Sequence, residues 1–300
     1  MTGRGTGFRA GRICACLVPW VCAVLSACAE PHEAAEPFRL AGHRYDSVHV
    51  RHLKLPKVLR EISGLTLEDG RALTHNDERG IIYRIDYEAG RVVSRFSMDD
   101  GVKGDFEGIA VADGRLYLVT SRGEIFETRP GGDDEQVPYV RHAEQLDCEV
   151  EGLTFDPRRR MLLVACKNLP GKRRDIVLHA WDPERRAYDP SPILLLEASR
   201  LKDFLDTLKL SGDPIEKVQP TGITIARNGN LVLVAARQYL LLELTPEGDP
   251  VAAVRLDPAV QRQAEGIAID RQGRLLVGSE GDGKGDRKTR GVLSIYEPVD

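Results

Sequence analysis

From about residue 45 onward, apolar and polar positions alternate in short runs separated by turn residues. Five runs align on a glycine: Glu61-Ile62-Ser63-Gly64-Leu65, Asp105-Phe106-Glu107-Gly108-Ile109, Glu149-Val150-Glu151-Gly152-Leu153, Gln219-Pro220-Thr221-Gly222-Ile223 and Gln263-Ala264-Glu265-Gly266-Ile267. The glycines are 44, 44, 70 and 44 residues apart. After each comes a turn such as Asp113-Gly114 or Gln272-Gly273, then a second apolar run (71–74, 116–120, 161–166, 231–235, 275–278). Third runs follow at 81–86, 124–128, 176–182, 239–245 and 292–297, and outer ones at 92–97, 137–142, 193–196 and 251–256. Short strands at this spacing predict four-stranded antiparallel units, and a unit of this length is the blade of a β-propeller. The fifth unit runs out of chain after three strands. Tyr45, Val48, Val50, Leu53 and Leu55 supply the missing one, which closes the ring and removes exposed edges. The expectation is an all-β, five-bladed propeller over 44–300, its last blade completed by the N-terminal strand, with six blades as the alternative count. The longer repeat holds a helical insertion at about 197–212, in which Leu201, Phe204, Leu205 and Leu208 recur at helical spacing. Ser199 is placed to cap its start and Gly212 to end it.

The composition adds limits. The 300 residues are 42% hydrophobic and 29% charged, with 42 basic against 46 acidic side chains and a net charge of -4. That suffices for a substantial core, and without a basic excess it argues against a nucleic-acid partner. Residues 1–27 read as a secretory signal: Arg4, Arg9 and Arg12, then an apolar stretch, then Leu25-Ser26-Ala27-Cys28. Those last four resemble a bacterial lipobox, which implies lipidation of Cys28, membrane attachment through that lipid, and a tether over 28–43. Ala29 in place of an acidic retention residue favours the outer membrane, facing the periplasm. An ordinary signal peptide and an uncleaved anchor are the alternatives. Without the leader, 39 basic residues face 46 acids and the charge is -7. Only Cys148 and Cys166 then remain besides Cys28. The compartment permits a disulfide, but the strand pairing drawn from the nearby turn does not set these two opposite, and the reading is two buried free thiols.

Candidate chemistry lies at the starts of the inner strands. The residues one and three places before each aligned glycine share a strand face. In a propeller these starts converge on the central channel. Six of them are acids: Glu61, Asp105, Glu107, Glu149, Glu151 and Glu265. Two unit charges 4 Å apart repel by about 4 kcal/mol at an effective dielectric near 20, so a narrow acidic mouth needs an offset. A hard divalent cation on oxygen ligands provides one, and calcium tolerates an irregular ring better than magnesium does. Protonation of some members, or a wide and wet mouth, are the alternatives. Just past the second strands stand His75, Asn76, Asp77, Arg122, Lys167, Arg237 and Glu280, a second ring suited to an anionic small molecule. His75 is the best general-base candidate. The acidic, glycine-rich 280–286 lacks the order of an EF-hand and reads as a flexible loop. His75, His142 and His179 show no zinc-ligand spacing and no partnering cysteine pair. No G-x-S-x-G or H-E-x-x-H motif occurs.

These segments resemble the SdiA-regulated family of bacterial envelope proteins. The likeness rests on Glu61-Ile62-Ser63-Gly64-Leu65 leading to His75-Asn76-Asp77, on the two Glu-Gly segments at 105–109 and 149–153, and on Gln263-Ala264-Glu265-Gly266-Ile267 leading to Ser279-Glu280. It covers about 46–300. It implies a calcium-associated propeller of about five blades and no defined activity. The lipobox departs from members anchored by a transmembrane helix. Gln219-Pro220-Thr221-Gly222 lacks the family acid, which makes any metal site lopsided. Similar propellers include phytase-like phosphoesterases and lactonase-like hydrolases. Three functions follow: a calcium-binding propeller of unassigned activity, a metal-dependent hydrolase of either kind, or an envelope protein-interaction module. The oligomeric state is left open.

Overall fold

A computed structural model describes residues 37–281 and 289–299. The signal, Cys28, most of the tether and most of the 280–286 loop lie outside these residues. Short runs rich in β-branched and aromatic residues, closed by Asp-Gly and similar turns, form meandering sheets. The first blade joins Ile62–Glu68, Arg71–Asn76, Ile81–Asp86 and Arg91–Met98 in order, and the second Phe106–Ala112, Arg115–Thr120, Ile125–Thr128 and Val140–His142. The third runs Glu149–Asp156, Met161–Asn168 and Ile176–Asp182, with Ala187–Tyr188 and Leu194–Leu196 sharing its outer edge. The fourth is Gly222–Ile225, Leu231–Ala235, Leu240–Leu244 and Pro250–Arg255. The fifth is Ala264–Ile269, Leu275–Ser279 and Val292–Tyr296, with Arg51–Lys54 antiparallel to the last of these.

The expectation of five blades is corrected. The described residues form six sheets, so the propeller is six-bladed, its sixth blade a small sheet of Phe38–Leu40, His43–Tyr45 and Pro298–Val299. This sheet carries no glycine repeat, and its first strand comes from residues read as tether. It is wedged between the fourth and fifth blades. Leu40, Ala41 and Tyr45 are buried there against Val232, Leu241, Leu256, Ile267 and Val277. Tyr45 Oη donates to the Gly273 carbonyl at 2.8 Å, and the Ala41 N–H donates to buried Glu243 at 2.8 Å. The sixth sheet sends no strand to the axis. The other five do, and their inner strands pack in cyclic order, first against second through to fifth against first.

Two further expectations change. The outer run 137–142 is divided at Pro138: Glu135–Val137 pairs in parallel with Arg91–Met98 of the first blade, and only Val140–His142 stays in the second. The helix spans Ala198–Thr207, with Leu201 and Leu205 buried among residues of the third and fourth blades. Ser199 lies inside it. Glu197 takes the capping position without a side-chain bond, and Asp175 from the third blade accepts the Ala198 N–H at 3.1 Å. The helix stops at Thr207, ahead of positive-φ Lys209 and Gly212.

Candidate functional site

The five aligned glycines line the axis, and there the backbones touch. A Cβ built on Gly108 would fall 2.7 Å from the Leu153 nitrogen, one on Gly152 3.1 Å from Gly222 Cα, and one on Gly222 2.8 Å from the Glu265 carbonyl. One on Gly266 would fall 3.1 Å from the Gly64 carbonyl carbon, and one on Gly64 3.1 Å from Gly108 Cα. No side chain fits in this ring, which is why the glycine recurs. In four of the five inner strands the pairing also slips beside it, between Ser63 and Leu65, Phe106 and Gly108, Val150 and Leu153, and Ala264 and Gly266. A bulge of this kind re-aims the side chain it carries.

Glu107, Glu151 and Glu265 sit at these bulges and are brought together. Burial, and after it Glu151, Glu265 and Asp105, push the Glu107 carboxyl up to about 9. Its Oε2 accepts from Ser63 Oγ at 3.3 Å. Glu151 is pushed up to about 7 by burial, which its ion pair with Lys167 offsets only in part. The second oxygen of Glu151 is buried without a partner. Burial opposes the Lys167 ammonium, yet Glu151 and its neighbours outweigh this and raise its pKa. Glu265 is also raised, by burial first, while accepting from Gln263 at 2.8 Å. The same amide donates to Glu280 at 2.7 Å, and burial followed by Glu265 pushes Glu280 up to about 10. Asp77 joins the group, raised by burial and then Glu61, and its Oδ1 is buried without a partner.

The residues three places before the glycines form a wetter outer tier. Glu61 pairs with Arg60, Asp105 accepts from Ser121, and Glu149 accepts from Asn168 at 2.6 Å. Asn168 in turn accepts from Lys217 at 2.7 Å and Gln219 at 2.6 Å, a link to the fourth glycine-aligned segment that sequence reading missed.

The second ring is dispersed. Asp77, Lys167 and Glu280 reach the axial group, whereas His75 is fully buried behind Gly64, with Nδ1 2.8 Å from the Asn76 carbonyl oxygen and burial holding its pKa down to about 4. That removes it from the rim as a general base. Asn76 accepts the Arg79 N–H at 3.2 Å. Arg122 lines a cleft of about 580 Å³ with Asp105, Ser121, Cys148, Glu149 and Asn168, and Arg237 lines a separate groove with Lys217 and Gln238.

The cysteine and zinc expectations are both corrected. Cys148 and Cys166 form a disulfide, with Cα atoms 5.8 Å apart. The two are not ladder partners: Val150 faces Cys166, and Cys148 reaches it from two places earlier, in irregular backbone ahead of the strand, so the bond did not require them to stand opposite. His179 of the adjoining strand stands with them in a group whose ligand atoms lie within 4.8 Å of one another, so this histidine does have a partnering cysteine pair, although the bonded sulfurs offer a metal no thiolate. A disulfide fits an extracytoplasmic compartment. Among the described residues no helix is long and apolar enough to cross a membrane.

No protein-family model matches the chain, and no curated protein matches it in sequence. Solved structures do match in fold. A luciferin-regenerating enzyme aligns at 10% identity and TM-score 0.52, over 83% of this chain and 96% of its own. The glutaminyl cyclase of Myxococcus xanthus aligns at 17% identity and TM-score 0.53, over 83% and 96%. A gluconolactonase from Xanthomonas campestris aligns at 15% identity over 79% and 72%, but at TM-score 0.45 it carries no argument. At these identities the likeness is one of fold alone, and it makes the chain a β-propeller.

Proposed function

We propose that the axial carboxylates hold a divalent cation, calcium by the chemistry of the donors, and that the protein is a metal-dependent hydrolase. The observation that carries this is the convergence of Glu107, Glu151, Glu265, Glu280 and Asp77, of which Glu151 and Glu265 are buried and the others half-buried, with Lys167 paired to Glu151. Every donor is a hard oxygen, and Glu151 and Asp77 each keep a buried oxygen without a partner. Glu107, Glu265, Glu280 and Asp77 would hold the ion. A bound cation supplies positive charge against a developing oxyanion.

Glu151 is the general base, because its ion pair with Lys167 fixes the carboxylate while one of its oxygens keeps no partner. Lys167 orients it and keeps one oxygen occupied, leaving the other free. The rim acids Glu61, Asp105 and Glu149 repel anions, so an uncharged ester such as a lactone suits the mouth better than a phosphomonoester. The resemblance to the SdiA-regulated family supports the calcium reading, and the lipobox supports anchoring through Cys28 at the outer membrane, facing the periplasm.

Thermal melting with calcium, and with EDTA as control, tests the metal. Calcium near millimolar concentration raises the Tm; Glu107→Gln loses most of that shift and Glu68→Gln keeps it. An absent shift refutes the site. A panel of lactones and phosphomonoesters with calcium tests the activity. Turnover of lactones that Glu151→Gln abolishes is the expected result, turnover of phosphomonoesters alone reverses the substrate preference, and a blank panel leaves a calcium-binding interaction module.

A further inference from the structure

Cys148, Cys166 and His179 stand on the third blade, and no part of the proposed hydrolysis uses them. Cys166 is buried on Met161–Asn168, and His179 on the neighbouring strand faces Val164, two places from Cys166. Cys148 precedes Glu149–Asp156 in irregular backbone and lines the cleft of about 580 Å³ with Asp105, Ser121, Arg122 and Glu149. A small reductant therefore reaches this sulfur from solvent, and its segment can move without breaking a ladder. The three ligand atoms already lie within 4.8 Å of one another.

We infer that reduction of the Cys148–Cys166 disulfide opens a zinc-class metal site of two thiolates and the His179 imidazole, with the cleft supplying water as fourth ligand. The reductant is a dithiol. It attacks one disulfide sulfur, closes to its own disulfide, and leaves two protein thiols, so two electrons and two protons are transferred. Metal binding then displaces the two thiol protons. The states exclude each other, because a sulfur bonded to sulfur is no thiolate donor. Two sulfurs and an imidazole select zinc, whereas the all-oxygen axis selects a hard cation, so the two sites differ in metal.

Cobalt(II) is the probe. The full chain is reduced with dithiothreitol, freed of reductant without air, and titrated while the ultraviolet thiolate-to-cobalt charge-transfer band is followed. Cobalt held by carboxylates at the axis gives no such band. The reduced protein develops the band with one equivalent of cobalt and the oxidised protein does not. His179→Gln, which leaves the disulfide intact, weakens binding by at least about tenfold, the scale of losing even an outer partner of a metal ligand. Cys166→Ser abolishes the band. A reduced, folded protein without the band overturns the inference, as does undiminished affinity in His179→Gln. Unfolding on reduction that cobalt does not reverse overturns it too.

Discussion

Glu107 holds its proton well past the pH at which an unfolded glutamic acid releases it, since burial and the neighbouring Glu151 and Glu265 disfavour its anion. The sign of the linkage follows. Between the unfolded value and about 9 the folded chain binds more protons than the unfolded one, so stability is greatest below that window and falls as pH rises through it. Glu151, Glu265, Glu280 and Asp77 act in the same direction. Metal-free protein should lose Tm steadily from about pH 5 to pH 9, and Glu107→Gln should remove up to about 1.4 kcal/mol per pH unit from that slope. Asp113→Asn on the exposed surface should leave it unchanged. A flat profile in the parent would mean that the acids are solvated. Calcium, which takes the place of these protons, should stabilise more strongly at the alkaline end. At this scale the sequence was informative because each acid sits beside an aligned glycine, and Glu107, Glu151 and Glu265 do meet. His75 was misjudged because its burial behind Gly64 leaves no mark in the local pattern.

The inner strand depends on the absence of a methyl group at one position. Gly108→Ala should cost about 1–3 kcal/mol as overpacking, measured by urea unfolding, because the clash is with backbone that cannot swing aside. A neutral effect would mean that the ring has slack. This constraint made the repeat legible, since glycine was the one residue common to all five segments. The bulges beside the glycines leave no mark in the alternation, and the disulfide was not legible because Cys148 lies in irregular backbone before its strand, where ladder pairing does not say what it can reach. Pro138 could have warned that 137–142 is two strands, since proline offers no ladder donor. The helix cap was out of reach for another reason: Asp175 belongs to a different element.

Across the whole molecule, strands from both ends of the described chain meet twice. Arg51–Lys54 completes the fifth blade beside Val292–Tyr296, and His43–Tyr45 pairs with Pro298–Val299 in the sixth. A chain shortened to begin after Leu55 should lose its single cooperative melt, because Val292–Tyr296 is left as an open edge and the fourth and fifth blades lose the wedge between them. Retention of a sharp transition would show that the other blades carry the fold alone. The small sheet escaped sequence reading because strands of two and three residues have no periodicity to detect. The double meeting also sets an order of events. During synthesis the earliest strands wait for partners that emerge last, so the fifth and sixth sheets stay incomplete until residues 292–299 have been made. A chain delivered across a membrane as an extended thread would thus keep its first strands unpaired for the whole passage and complete its last two sheets only on arrival.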